Sequence, residues 1–131
     1  MEEKLVDKIR LENGLTLELY DRSRRVAGDR WLVYFVARVQ VPVRKAYLES
    51  MLDSRMTFES VRRAVGDSTA YVREKKSNFV DEKEKDEEFR RLKESFLKTS
   101  LGYLSNPDFA GKLIMKTFQE SQGMRVSWKP Q

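Results

Sequence analysis

Apolar and polar positions alternate on both sides of Glu12-Asn13-Gly14, the pattern of a β-hairpin over residues 5–20. Side-chain facing decides the loop length. A two-residue Asn-Gly loop would set Leu11 opposite Thr16 and Arg10 opposite Leu17, mixing apolar with polar on both faces. A three-residue loop sets Leu11 against Leu15, Ile9 against Leu17, Lys8 against Glu18 and Arg10 against Thr16. The pattern therefore predicts a type I turn closed by a left-handed Gly14 in a bulge. Leu5, Ile9, Leu11, Leu15, Leu17 and Leu19 would share the core face.

Asp21–Asp29 reads as a turn-rich connection with Gly28 near the tip of the hairpin that joins strands 2 and 3. The next strand, Arg30 to Val43, is the longest. Trp31, Val33, Phe35, Ala37, Val39 and Val41 lie on one face at period two. The other face starts apolar with Leu32, Tyr34 and Val36 and turns polar at Arg38 and Gln40. Such a strand belongs at the centre of a sheet, and Pro42 closes it or marks a free edge.

Arg44–Met56 is ambiguous, with Tyr47, Leu48, Met51 and Leu52 at helical spacing. Thr57 is placed to cap a short helix, Phe58 to Val65, whose stripe is Phe58, Val61 and Val65, with Gly66 as its stop. Ser68–Lys76 reads as a strand whose lysines suit a sheet edge. The helical signal is clearest after Asp81. Asp81 and Glu84 form a capping pattern, and acids crowd the first turns. Phe89, Leu92, Phe96 and Tyr103, with Leu97, Leu101 and Leu104, make one apolar face. Asn106-Pro107 starts a second helix, with Phe109, Leu113, Ile114, Thr117 and Phe118 inward, ending near Gln122-Gly123. Met124–Trp128 alternates like a short last strand. The expectation is one α+β domain over residues 1–131: an antiparallel sheet of about four strands with two long C-terminal helices on one face.

Composition narrows the chemistry. The chain has 131 residues, 40% hydrophobic and 36% charged, with net charge +5. Its pI near 9.5 permits an anionic partner. Cysteine and histidine are both absent, which removes disulfides, thiolate and imidazole metal ligands, and Ser-His or Cys-His catalysis. Any acid/base work would fall to carboxylates, Lys or Tyr in a sheltered polar pocket. The N-terminus has no apolar signal core, and no run approaches a membrane span, so a cytoplasmic protein without membrane contact is expected.

Four constellations remain. Arg22, Arg24, Arg25 and Arg30, with Arg38 farther along and Arg44 and Lys45 beyond it, offer guanidinium forks suited to phosphate. Tyr20 and Tyr34 would lie near Arg38 on the open sheet face, where bases could stack. The acidic run Asp81–Glu88 reads as helix-start electrostatics, because Lys83 and Lys85 interrupt it. Gly111-Lys112 lacks the rest of a phosphate loop and falls inside a helix. Finally, Tyr20, Tyr34, Val36, Met51, Met56 and Trp128 could form an interaction surface if they stay exposed. The leading expectation is a non-catalytic module that contacts another protein or itself as a homodimer. The alternative is nucleic-acid or polyanion binding through residues 22–30 and the open sheet face. No cofactor, metal or catalytic residue is assigned, and an enzyme ranks third. What covers the face bearing Tyr20, Tyr34, Val36 and Arg38 decides between the first two.

Overall fold

The computed structural model describes residues 3–123, so the expected last strand at Met124–Trp128 and the candidate Trp128 lie outside the described residues. Among the described residues the fold is α+β: a five-stranded antiparallel sheet with three helices, two of them C-terminal. The strands are β1 Lys4–Arg10, β2 Thr16–Asp21, β3 Arg24–Ala27, β4 Arg30–Pro42 and β5 Ser68–Asp81. The helices are α1 Phe58–Val65, α2 Lys85–Ser105 and α3 Phe109–Ser121.

The first hairpin has the register that side-chain facing predicts: Lys8 pairs with Glu18, Ile9 with Leu17 and Arg10 with Thr16. The Leu11 N–H donates to the Leu15 carbonyl, the Gly14 N–H donates to the Leu11 carbonyl, and Gly14 has φ +89. Leu5 is a correction. A bulge at Val6 shifts the register, so Leu5 pairs with Tyr20 and leaves the core face. Asp7 then opposes Leu19 and reaches Lys93 of α2 at 3.6 Å.

The connection Asp21–Asp29 is a second correction, because it contains β3. Arg24 pairs with Leu32 and Arg25 with Trp31 across a tight turn at Gly28, φ +53. β2 and β3 lie along the same edge of β4 and are interrupted at Arg22 and Ser23. There the Arg22 N–H donates to the Tyr34 carbonyl and the Ser23 hydroxyl accepts from the Tyr34 N–H. Four rows of backbone thus contain five strands. β5 is longer than its sequence pattern suggests, running past Lys76 to Asp81, and pairs with β4 from Pro42 back to Arg30. Propensity undercounts it because Lys-Lys-Ser-Asn is a poor strand former, and pairing along the whole of β4 overrides that preference.

β4 is the spine. Val33, Phe35, Ala37, Val39 and Val41 are fully buried under α2 and α3. Phe35 meets Phe96 and Phe89 of α2 at ring separations of 5.4 and 5.8 Å, and Phe109 of α3 meets Tyr71 and Tyr103 edge-on. Trp31 is only half-buried at the end of this face. Thr57 caps α1, its hydroxyl accepting from the Ser60 N–H at 3.2 Å, and the chain turns at Gly66. The ambiguous stretch Arg44–Met56 forms only a 3-10 turn, Lys45–Tyr47, followed by turns. It does not cross the open face of the sheet. Leu48 and Val61 join the helix-side core, and α1 packs on α3. Asp81 caps a 3-10 turn over Glu82–Glu84, its carboxylate accepting from the Lys83 N–H, and α2 follows directly.

Candidate functional site

Strand parity and bulges decide what the uncovered face of the sheet presents. Lys8, Glu18, Arg38 and Val72 form one row across it, and Leu5, Tyr20, Val36 and Glu74 form the next. Tyr34 and Lys76 follow, then Arg24 beside Leu32. Leu32, Tyr34 and Val36 make a small apolar cluster of their own, with Tyr20 against it. Among the described residues no helix covers this cluster, yet Tyr34 is only 7% and Val36 only 1% exposed. Charged side chains positioned over the tyrosine rings shield it.

The geometry of that roof is specific. The Arg38 guanidinium sits 4.7 Å from the centre of the Tyr20 ring, and Arg22 and Lys76 sit 5.0 and 4.6 Å from that of Tyr34. Cations over aromatic faces are attracted by the ring quadrupole. Glu3 receives two bonds from Arg38, both 3.2 Å, and lies 3.9 Å from Arg22. The Tyr34 hydroxyl donates to Glu74 at 2.5 Å, and the Tyr20 hydroxyl donates to Glu18 at 3.0 Å. The Glu74 bond pushes the Tyr34 phenol above its ordinary pKa, and burial does the same for Tyr20. Bonding to Glu3 raises Arg38. Both phenols therefore stay neutral donors, and Arg38 stays charged and held by Glu3.

Basic side chains that strand parity and contacts bring to this face include Lys8, Arg10, Arg22, Arg24, Arg38 and Lys76. Three acidic ones, Glu3, Glu18 and Glu74, oppose them, leaving the face positive. Arg10 and Arg24 are exposed, and no carboxylate lies within ion-pair distance of either among the described residues.

The structure separates the arginines that the sequence groups together. Arg22, Arg24 and Arg38 share the uncovered face with Tyr20, Tyr34 and Val36. Arg25 points to the opposite face, bonded to Glu82 at 2.9 Å and stacked near Trp31. Arg30 stands at the end of the sheet, paired with Asp29 and Asp81. Met51 and Met56 are partly buried against the main core, on the helix side, so they do not join Tyr20 and Tyr34 in one surface. Sequence reasoning missed Glu3, Glu74 and Lys76. Their positions depend on the pairing of β5 with β4 and on the bulge in β1, neither of which leaves a local signal.

One polar groove lies elsewhere. Arg30, Phe79, Val80, Asp81, Glu84, Glu87 and Glu88 line a volume of about 540 Å³ at the end of β5 and the start of α2. Its Glu88 carboxylate does not suit acid/base work near neutrality. Arg91 and then Ser77 bond to Glu88 and bring its carboxyl down to about 2, away from the range of a working base. Among the described residues, no three carboxylates converge as metal ligands would. No helix among the described residues is long and apolar enough to cross a membrane. No protein-family model, no curated protein and no solved structure matches this chain.

Proposed function

We propose that the protein binds a polyanion, single-stranded nucleic acid being the class that fits, across the uncovered face of its sheet. The observation that supports this reading is the positive face itself: two arginines held over tyrosine rings, with Arg10 and Arg24 exposed on the same face. Bases stack on guanidinium planes as well as on aromatic rings. Arg22 and Arg38 sit over the Tyr34 and Tyr20 rings and stay partly exposed. Phosphates would then meet Arg10, Arg24 and Lys76. Glu3 and Glu74 hold the arginines in position, so ordering them on binding costs little side-chain entropy. Duplex DNA offers neither unstacked bases nor a groove shaped for a broad sheet face.

Fluorescence anisotropy with a labelled oligothymidine tests this across a salt series. About three phosphate contacts on a single strand imply a log–log salt slope near −2. The double variant Arg10→Glu, Arg24→Glu should lose most of the affinity. Arg25→Glu, on the other face, should keep it. Absence of salt-sensitive binding, or equal loss in Arg25→Glu, would overturn the reading.

A further inference from the structure

Phe79 is the most exposed large apolar side chain among the described residues, at 71%. It stands in the bulge of β5, where Trp31 pairs with Val80 but Val33 pairs with Ser77. Its φ is +55, the only positive value at a non-glycine position among the described residues. A bulky side chain in the left-handed region is disfavoured, and Asn or Gly would serve better there. Folding therefore gains nothing from Phe at this position: the ring buries little and its backbone is strained.

The groove beside Phe79 has a defined character. Phe79 and Val80 supply an apolar wall, and Asp81, Glu84, Glu87 and Glu88 supply negative charge. Arg30 is the single cation lining it among the described residues and is engaged by Asp29 and Asp81. Glu87 and Glu88 pair with Arg90 and Arg91 on α2. Glu84 has no ion-pair or hydrogen-bond partner for its carboxylate among the described residues. An apolar wall beside an unengaged carboxylate complements a side chain with an apolar stem and a cationic head. A volume of about 540 Å³ holds more than one such side chain.

We infer that this groove docks a basic segment of a partner protein, with a lysine or arginine stem lying along Phe79 and its head at Glu84. The charge of the groove disfavours nucleic acid, so this site is separate from the positive sheet face and does not depend on it.

The test uses the full chain and a short fluorescein-labelled peptide of alternating leucine and lysine, with a leucine–glutamate peptide as control. The lysine peptide should bind, and backbone NMR shifts should map to residues 79–88. Phe79→Asn relieves the strained backbone, so its melting temperature should equal or exceed that of the parent. Its peptide affinity should nevertheless fall by about tenfold or more, as when a central aromatic anchor is removed. Glu84→Lys should weaken the peptide similarly, and neither change should alter oligothymidine binding. The inference fails if no lysine-peptide binding appears up to about 1 mM, if shifts map elsewhere, or if Phe79→Asn binds as the parent does. It also fails if sedimentation shows a dimer that Phe79→Asn dissociates, because the occupant would then be a second copy of this chain.

Discussion

Asn13 performs two tasks that look unrelated in sequence. Its side-chain oxygen accepts from the Leu15 N–H at 3.1 Å, which stiffens the hairpin loop. Its amide group donates to the carbonyls of Leu104 and Asn106, at 2.7 and 3.1 Å. Those carbonyls lie where α2 ends, so Asn13 satisfies acceptors that the helix leaves open. Asn13→Ala should destabilise the protein by about 1–2 kcal/mol. Asn13→Asp, which keeps the loop acceptor but removes the donor, should recover little of that loss. Urea melts of both variants check it, and full recovery by Asp would mean that only the loop bond matters. Glu88 gives a prediction in pH. Its carboxyl titrates at about 2 in the folded protein against an ordinary 4.5. The folded state thus binds fewer protons than the unfolded state in that window. The stability contributed by Glu88 is complete above about pH 4.5 and is lost as pH falls toward 2. Unfolding of Glu88→Gln measured from pH 6 to pH 2 should show a shallower acid limb than the parent, and parallel limbs would refute the assignment.

At the scale of elements, two helical glycines should respond to alanine with opposite sign. Gly111 faces the 3-10 turn, and a Cβ there would press into the Tyr47 carbonyl and the Met51 side chain. A backbone oxygen cannot swing away, so the strain of roughly 1–3 kcal/mol exceeds the helix propensity gain of about 1 kcal/mol. Gly102 in α2 has open space around the same position. Gly111→Ala should therefore lower the melting temperature and Gly102→Ala should raise it. A rise in both would show that propensity, not packing, governs α3. The Gly-Lys pair at 111–112 thus has a packing role: it lets α3 approach the turn after β4.

The whole molecule is a layered body with charge distributed unevenly over it. One layer is the sheet, the other is α2 and α3 with α1 alongside, and the core between them contains Phe35, Phe96 and Phe109. The sheet's outer face carries a surplus of positive charge, while the groove at the start of α2 is acidic. Binding a polyanion only in the folded state should stabilise it by mass action, about 2.7 kcal/mol at a ligand concentration of 100 Kd. Oligothymidine should accordingly raise the melting temperature at low ionic strength, with the increment fading as salt rises. An increment independent of salt would exclude a phosphate-driven contact.

The local code was strong enough to specify several elements outright. The three-residue loop at Glu12–Gly14 follows from side-chain facing alone, because a one-residue slip would put leucines and charges on the same face. The β4 alternation, the Thr57 cap and the apolar stripe of α2 are likewise local, written at period two or 3.6 in consecutive residues. Other features needed partners distant in the chain. Leu5 looks like a core leucine until the bulge at Val6 turns it outward. Arg24 and Arg25 look like one basic loop until pairing with Leu32 and Trp31 sends them to opposite faces. Tyr34 meets Lys76 and Glu74 only through the β4–β5 register, and Phe79 becomes conspicuous only in the bulge that register contains. Hydrophobic periodicity therefore established the α+β class and the identity of the core face. Register and bulges, which are settled by contacts between strands far apart in sequence, decided which charges share the uncovered face and how the tyrosines on it are shielded.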